Sequence, residues 1–65
     1  MAWEYRVMQH KDSLAIYEVY YDDAGKVLGS GEKPTSPRGD SMEELQEDLA
    51  RYTEALEKPI LDYIE

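Results

Sequence analysis

The residues of this chain that could do chemistry are few, and their spacing favours structural roles. His10 is the only histidine and lies in a polar stretch beside Lys11 and Asp12. General acid–base catalysis needs a positioned partner and a pocket, and the chain has no cysteine to act as a thiolate nucleophile. We therefore expect an exposed loop position for His10, no catalytic residue, and a protein that is not an enzyme.

Two other groups of residues resemble ligand sites only loosely. The acids between Glu18 and Asp23 lack the alternate spacing and closing glutamate of a calcium loop, and a hairpin turn at 22–26 explains them. The glycine-rich run 29–31 is not followed by the helix start that a phosphate-binding loop requires. We expect no metal and no cofactor, while the basic, hydroxyl-rich loop 33–38 leaves open a phosphate or partner contact.

The negative charge of the chain is concentrated in its second half. The formal net charge is −8, and residues 40–65 contribute nine acids against two bases. Nucleic-acid binding relies on Lys and Arg to displace counterions, so we expect no direct nucleic-acid contact. The expected partner is a protein, either a basic one or a second copy of the chain. Since no apolar run approaches the ~18 residues of a membrane span, we expect one cytoplasmic domain over 1–65 that does not bind membranes.

Alternation and turn residues predict a three-stranded antiparallel meander in the first half. Apolar and charged residues alternate over 3–8, which is typical of a strand with one buried face. The run 14–21 is rich in β-branched and aromatic residues, which favours a second strand. Gly25 can supply the left-handed turn conformation before a short strand at 26–30. The prolines and glycines of 31–40 predict a connecting loop.

A capping box opens the one predicted helix, over about 42–57. The Ser41 hydroxyl can accept a hydrogen bond from the Glu44 amide, and Pro59 limits the helix at its other end. Apolar residues recur every three or four positions in one stripe, formed by Met42, Leu45, Leu49, Tyr52 and Leu56. Two i,i+4 ion pairs are expected, Glu47–Arg51 and Glu54–Lys58. The fold class is therefore α+β, with this amphipathic helix packed on one face of the meander.

The second strand has two apolar faces, and one helix covers only one of them. Alternate residues of 14–21 face opposite sides of the sheet, and both sets are largely apolar. The other face must be covered by the apolar tail at 59–65, by a second copy, or by a partner. We favour a copy or a partner, which predicts a homodimer through the sheet. The predicted contact residues are Leu14, Ile16, Tyr20, Ile60, Leu61 and Tyr63.

The start of the helix resembles that of the small HicB-like antitoxin domains. In that family a G-x-S-x-E-E-L/A stretch opens the single helix after a three-stranded meander. The match is carried by Gly39, Ser41, Glu43, Glu44 and Leu45. The resemblance implies a pared-down RNase H-like fold over roughly residues 3–57, and an acidic helix face that neutralises a basic nuclease. The residues of that face are Glu43, Glu47, Asp48 and Glu54.

The chain also resembles, more closely, short bacterial proteins of unknown function. They share the pattern W-x-Y-R-V, E-V-Y-Y-D-x-x-G-K, S-x-E-E-L and P-x-L, and this chain matches it at Trp3, Tyr5, Arg6, Val7, 18–22, Gly25, Lys26, Ser41, 43–45, Pro59 and Leu61. This resemblance implies a bacterial source and no particular activity. We expect a non-enzymatic protein-interaction domain; the open alternative is a small-molecule or ion-binding module, or an accessory enzyme subunit, that uses loop 33–38.

Overall fold

The computed structural model describes residues 2–63, which form a four-stranded sheet and one helix. The elements are β1 (Ala2–His10), β2 (Ser13–Tyr21), β3 (Val27–Ser30), α1 (Met42–Leu56) and β4 (Leu61–Asp62). The sheet order is β3-β2-β1-β4, with β4 parallel to β1 and the other pairs antiparallel. The α+β class with one helix is confirmed. The predicted antiparallel meander is present as β1–β3, but the sheet has a fourth, parallel strand that was not predicted, because part of the predicted tail forms β4.

The β1–β2 hairpin is tighter than the polar stretch around it suggested. His10 pairs with Ser13, so two residues make the turn, and Lys11 adopts a φ of 58°. His10 is therefore the last residue of β1 and half-buried, and its ring stacks on that of Tyr63 with centroids 4.2 Å apart. The expectation of an exposed loop histidine is wrong, because two-residue turns let the strand ladder continue to its end.

The β2–β3 hairpin has the predicted turn chemistry. The Asp22 Oδ1 atom accepts hydrogen bonds from the amides of Ala24 and Lys26, both at 2.9 Å. Gly25 has a φ of 84°, which glycine adopts without the steric cost that a Cβ would add. A register shift follows between Tyr20 and Tyr21, as in a hairpin closed by a bulge.

The helix start also follows the prediction. The Ser41 Oγ atom accepts a hydrogen bond from the Glu44 amide at 3.1 Å. Just before it, the chain passes so close to the first turn that a Cβ on Gly39 would lie 2.5 Å from the Leu45 amide nitrogen. Only glycine fits at position 39. The glycine and the serine of the G-x-S-x-E-E-L stretch therefore both have structural roles, the first in the close approach and the second as the helix cap.

The two faces of the sheet are covered by different parts of the chain. The ring centroids of Tyr5 on β1 and Tyr52 on α1 lie 4.4 Å apart, so α1 covers the face of the sheet that carries Tyr5. The opposite face holds a cluster of Met8, Tyr17 and Val19, which are 1%, 3% and 0% exposed and pack against the tail residues Leu61 and Tyr63. Within one chain, the tail therefore packs on this face, and contact of a second copy or a partner with the sheet stays a prediction. The tail residue Ile64 lies outside the described residues.

Candidate functional site

Helix α1 turns one face towards the sheet, formed by Asp48, Tyr52 and Ala55. The Tyr5 hydroxyl donates to Asp48 Oδ1 at 3.0 Å, and the Tyr52 hydroxyl donates to Thr35 Oγ1 at 2.9 Å. Residues three and four apart share one side of a helix. These two hydrogen bonds therefore fix how α1 is rotated about its axis.

Asp48 was predicted to be an exposed acidic contact, but it is only 5% exposed. Besides the Tyr5 hydroxyl, its carboxylate accepts a hydrogen bond from the Arg38 amide at 3.0 Å, and Arg51 Nη1 lies 3.6 Å from it. Burial, together with the hydrogen bond to Asp48, raises the pKa of Tyr5 to about 12. A buried carboxylate needs such partners, so Asp48 holds loop, sheet and helix together and does not belong to the acidic surface.

The apolar stripe of α1 is not the face that is buried. Of its five residues only Tyr52 is buried and Leu45 is half-buried. Met42, Leu49 and Leu56 are 70%, 45% and 67% exposed and follow one another at intervals of seven residues. We call these three residues the apolar ridge. At about 100° per residue, the ridge lies roughly 90° around the helix from the buried face.

The exposed acids of α1 form a third face, well separated from the ridge. Glu43, Glu47 and Glu54 are exposed and project roughly 140° around the helix from the ridge. Between the two surfaces lie exposed residues without charge, which are Gln46, Ala50 and Thr53. The helix thus presents an uncharged apolar surface and a separate acidic one, where the sequence had indicated a single acidic face.

The basic residues of the helix end are used differently from the predicted ion pairs. Arg51 lies by Asp48, and the Lys58 ammonium donates to Glu4 Oε1, whereas Glu47 and Glu54 were the predicted partners. The two differences have separate causes. Arg51 lies by Asp48 through a local i,i+3 spacing that competes with the i,i+4 pair, whereas Glu4 is brought to Lys58 by the docking of β1.

The bonds around Glu4 hold the chain after α1 against β1. The Tyr21 hydroxyl donates to Glu4 Oε2 at 2.7 Å, and Arg6 Nη2 donates to the Pro59 carbonyl at 2.7 Å. The hydrogen bond from Lys58, followed by that from Tyr21, lowers the pKa of the Glu4 carboxyl. We call Glu4, Arg6, Tyr21 and Lys58 the Glu4 clamp.

The sheet and tail residues predicted as contacts do not form one surface. In the register, Tyr5 pairs with Glu18, which places Leu14, Ile16 and Tyr20 on the face that α1 covers. Leu14 is exposed there, and the other two are half-buried. Leu61 and Tyr63 pack on the opposite face, and Ile60 is exposed. The prediction that these six residues lie side by side is wrong; their contact with a partner stays a prediction.

A cleft of about 390 Å³ opens between β1 and the C-terminal half of α1. Its walls are formed by Trp3, Glu4, Tyr5, Arg51, Glu54 and Lys58. The rings of Trp3 and Tyr5 meet edge to face with centroids 5.2 Å apart. Strand alternation did place these two rings on one face, but the approach of Arg51 and Lys58 depends on how the helix docks. Loop 33–38, the alternative ligand site, does not line this cleft.

The described part of the chain contains no cluster of side chains that could bind a metal ion. Residues 2–63 contain no group of three or more histidine or acidic side chains arranged to hold a metal ion. Over the same residues, no helix is both long enough and apolar enough to cross a membrane.

Comparison with known proteins assigns no family to the chain. No family model, no curated protein and no solved structure matches it.

Proposed function

We propose that this chain is a non-enzymatic protein-binding domain of the bacterial cytoplasm, and that it binds through the exposed side of α1. The observation that carries the proposal is the apolar ridge, which leaves three large side chains in solvent while the sheet face opposite the helix is closed. Exposed apolar surface of this kind, rimmed by polar residues, marks interaction sites.

The acidic face of α1 suggests the chemistry of a partner. Glu43, Glu47 and Glu54 project from the side of the helix away from the sheet, and a surface of one charge attracts the opposite one. Together with the resemblance to HicB-like antitoxin domains, this favours a basic protein such as a nuclease. Asp48 is left out of the proposed contact because it is buried.

Site-specific photo-crosslinking in the host cell tests the binding surface without knowledge of the partner. A photoreactive residue replaces Ala50, beside the ridge, and in a matched control replaces Ala24, which is also exposed but lies in the β2–β3 turn. We expect a discrete crosslinked product from position 50 and none from position 24. Equal products from both positions, or none from either, would reject α1 as the binding surface.

Charge reversal then tests the basic partner. Replacing Glu43, Glu47 and Glu54 by lysine should abolish capture of a heterologous product at position 50, since the attraction becomes repulsion. The control reverses Asp12 and Glu32, which are exposed acids outside the helix. Loss of capture in both variants, or in neither, would contradict a role for the acidic face.

The cleft beside Trp3 favours a second candidate function, a small-molecule-binding module. Trp3 is the only tryptophan of the chain and half exposed, so tryptophan fluorescence reports on ligands that bind beside Trp3. Trp3 also lines a second pocket, next to Tyr21 and Gly25, and Arg51→Ala distinguishes the two because Arg51 lines only the first. The pairing of an aromatic wall with Arg51 and Lys58 makes ATP, an aromatic base with phosphates, a suitable probe. Saturable quenching that Arg51→Ala weakens would support this function, and a flat titration would reject it for this class of ligand.

A further inference from the structure

The apolar ridge has a symmetry that points to its occupant. Met42 and Leu56 each lie seven residues from Leu49, which is two helical turns, or about 10 Å along the axis. We propose that a second copy of this chain packs on the ridge, with the two α1 helices antiparallel and a two-fold axis passing near Leu49. The inference rests on the proposed use of the exposed side of α1, and it names the partner of the ridge.

An antiparallel pair matches the ridge to itself. In a two-fold interface the same patch serves both copies, so residue i meets residue j and residue j meets residue i. Leu49 then lies against Leu49 of the second copy, and Met42 lies against Leu56 of the second copy at both ends. A spacing of seven residues is also the one that keeps apolar side chains on a helix–helix contact line.

Charge determines where two copies can meet. Each carries a net charge of −8, so most approaches bring like charges together. Within α1 the ridge and its outer flank, Gln46, Ala50 and Thr53, are uncharged, and Glu47 and Glu54 project to the far side of the helix. The exposed C-cap residue Glu57 adds one acid at the end of this flank. A basic partner has the acidic face to bind, whereas a second copy of an acidic chain is best accommodated on the neutral ridge.

The size of the surface sets the expected strength. Helix α1 has 15 residues, which is about 22 Å of length, so a single helix pair falls among the small interfaces. Interfaces below about 1,200 Å² are typical of weak, reversible association. We expect a dimer with a dissociation constant in about the micromolar range. This constant should fall at higher salt, because salt screens the repulsion between the two copies.

Sedimentation equilibrium of the intact chain, from about 1 µM to about 1 mM and at low and high salt, tests the proposal. The wild type should pass from monomer to dimer, at lower concentration in high salt. Leu49→Glu should raise the dissociation constant at least about tenfold, because it buries an unpaired carboxylate at the two-fold axis. The matched control is Leu28→Glu on β3, where the leucine is 60% exposed, and it should leave the dimer unchanged.

A paired substitution tests the antiparallel direction. Met42→Glu alone should weaken the dimer, and Met42→Glu with Leu56→Lys in the same chain should restore it, since each new carboxylate then faces a new ammonium of the other copy. In a parallel pair the introduced glutamates would face each other. Failure of the double variant to recover, with wild-type helix content by circular dichroism, would overturn the antiparallel arrangement.

The proposal and the proposed function fail in different ways. A wild type that stays monomeric over the whole series, or a dimer that Leu49→Glu leaves intact, would overturn self-pairing on the ridge. A crosslinked product from position 50 with the mass of a heterologous complex would still support protein binding by α1. Dimerisation that weakens in high salt would also overturn the proposal, because it would place opposite charges, and not the neutral ridge, at the interface.

Discussion

The two faces of the sheet are closed by different chemistry. Opposite the helix, the Met8, Tyr17 and Val19 cluster is almost completely buried and packs against apolar tail residues. On the helix side, two tyrosine hydroxyls reach from sheet to helix and from helix to loop, and one of them meets the buried carboxylate of Asp48. Where hydrogen bonds decide how a helix docks, its apolar residues need not be the ones that are buried.

The largest expected effect comes from the tail-covered face. Met8→Ala should lower the free energy of unfolding by about 3 kcal/mol, because it removes a fully buried side chain and leaves a cavity. Urea denaturation measures this directly. Met42→Ala is the matched control, since Met42 is mostly exposed on the ridge and should change stability by less than about 0.5 kcal/mol in the monomer. If both variants lose the same free energy of unfolding, Met8 is not more deeply buried than Met42, which would contradict the structure.

On the helix-covered face, Asp48→Ala should lower the free energy of unfolding by about 2 kcal/mol, since it leaves the Tyr5 hydroxyl and the Arg38 amide without their acceptor. Tyr5→Phe should cost about 1 kcal/mol. A double-mutant cycle isolates the bond between them, and strict additivity of the two losses would show that this bond does not stabilise the fold. Glu47→Ala, at the exposed neighbouring position, serves as the control.

The approach to the helix gives an effect of intermediate size. Gly39→Ala should lower the free energy of unfolding by about 1–2 kcal/mol, because its Cβ would meet backbone atoms of the first turn of α1. Gly29→Ala is the matched control, as nothing lies within 4 Å of a Cβ there. If the two variants unfold at the same urea concentration, the loop does not pass as close to the helix as the structure indicates.

The smallest expected effects are changes in how the free energy of unfolding depends on pH, and they differ between the two faces of the sheet. The pKa of Glu4 is lowered in the folded state, so its contribution is present above the ordinary value of 4.5 and is lost as pH falls through the folded pKa. The pKa of Tyr5 is raised to about 12, so its contribution is present below 10 and is lost as pH rises from 10 towards 12. Glu4→Gln should flatten the acid limb of stability, and Tyr5→Phe the alkaline limb.

Denaturant unfolding at intervals of pH measures both limbs. Burial also raises the pKa of Tyr21, a member of the Glu4 clamp, so Tyr21→Phe must be compared beside Tyr5→Phe. An alkaline limb that Tyr5→Phe leaves unchanged would contradict the helix-side bond. An acid limb unchanged in Glu4→Gln would contradict the Glu4 clamp.

Much of the local structure could be predicted, and the contact surfaces could not. The first three strands, the turn at Gly25 and the cap at Ser41 follow from residues close together in the chain, and the structure has them within a few residues of the predicted bounds. The predicted contact set fails as one surface because the pairing of Tyr5 with Glu18 decides which face α1 covers. The cleft at Trp3 was missed because the approach of Arg51 and Lys58 to β1 depends on how α1 docks.

The predicted position of Asp48 shows how a sequence signal can be present and still be misread. It follows Leu45 by three residues and precedes Tyr52 by four, so the helical period places it beside the apolar stripe. Its charge favoured an exposed reading, because isolated carboxylates are rarely buried. Burial is possible here because the Tyr5 hydroxyl on β1 donates a hydrogen bond to Asp48 Oδ1 at 3.0 Å.

The sequence by itself determined β1, β2, β3 and α1, because alternation, turn glycines and a capping serine act between neighbouring residues. The tertiary structure alone decided which side of α1 is buried and how the second sheet face is closed. The first depends on the bond between Tyr5 and Asp48, which are 43 residues apart, and the second on the pairing of Leu61 with Met8. Contacts at such separations depend on the packing of the whole chain, which no local pattern encodes.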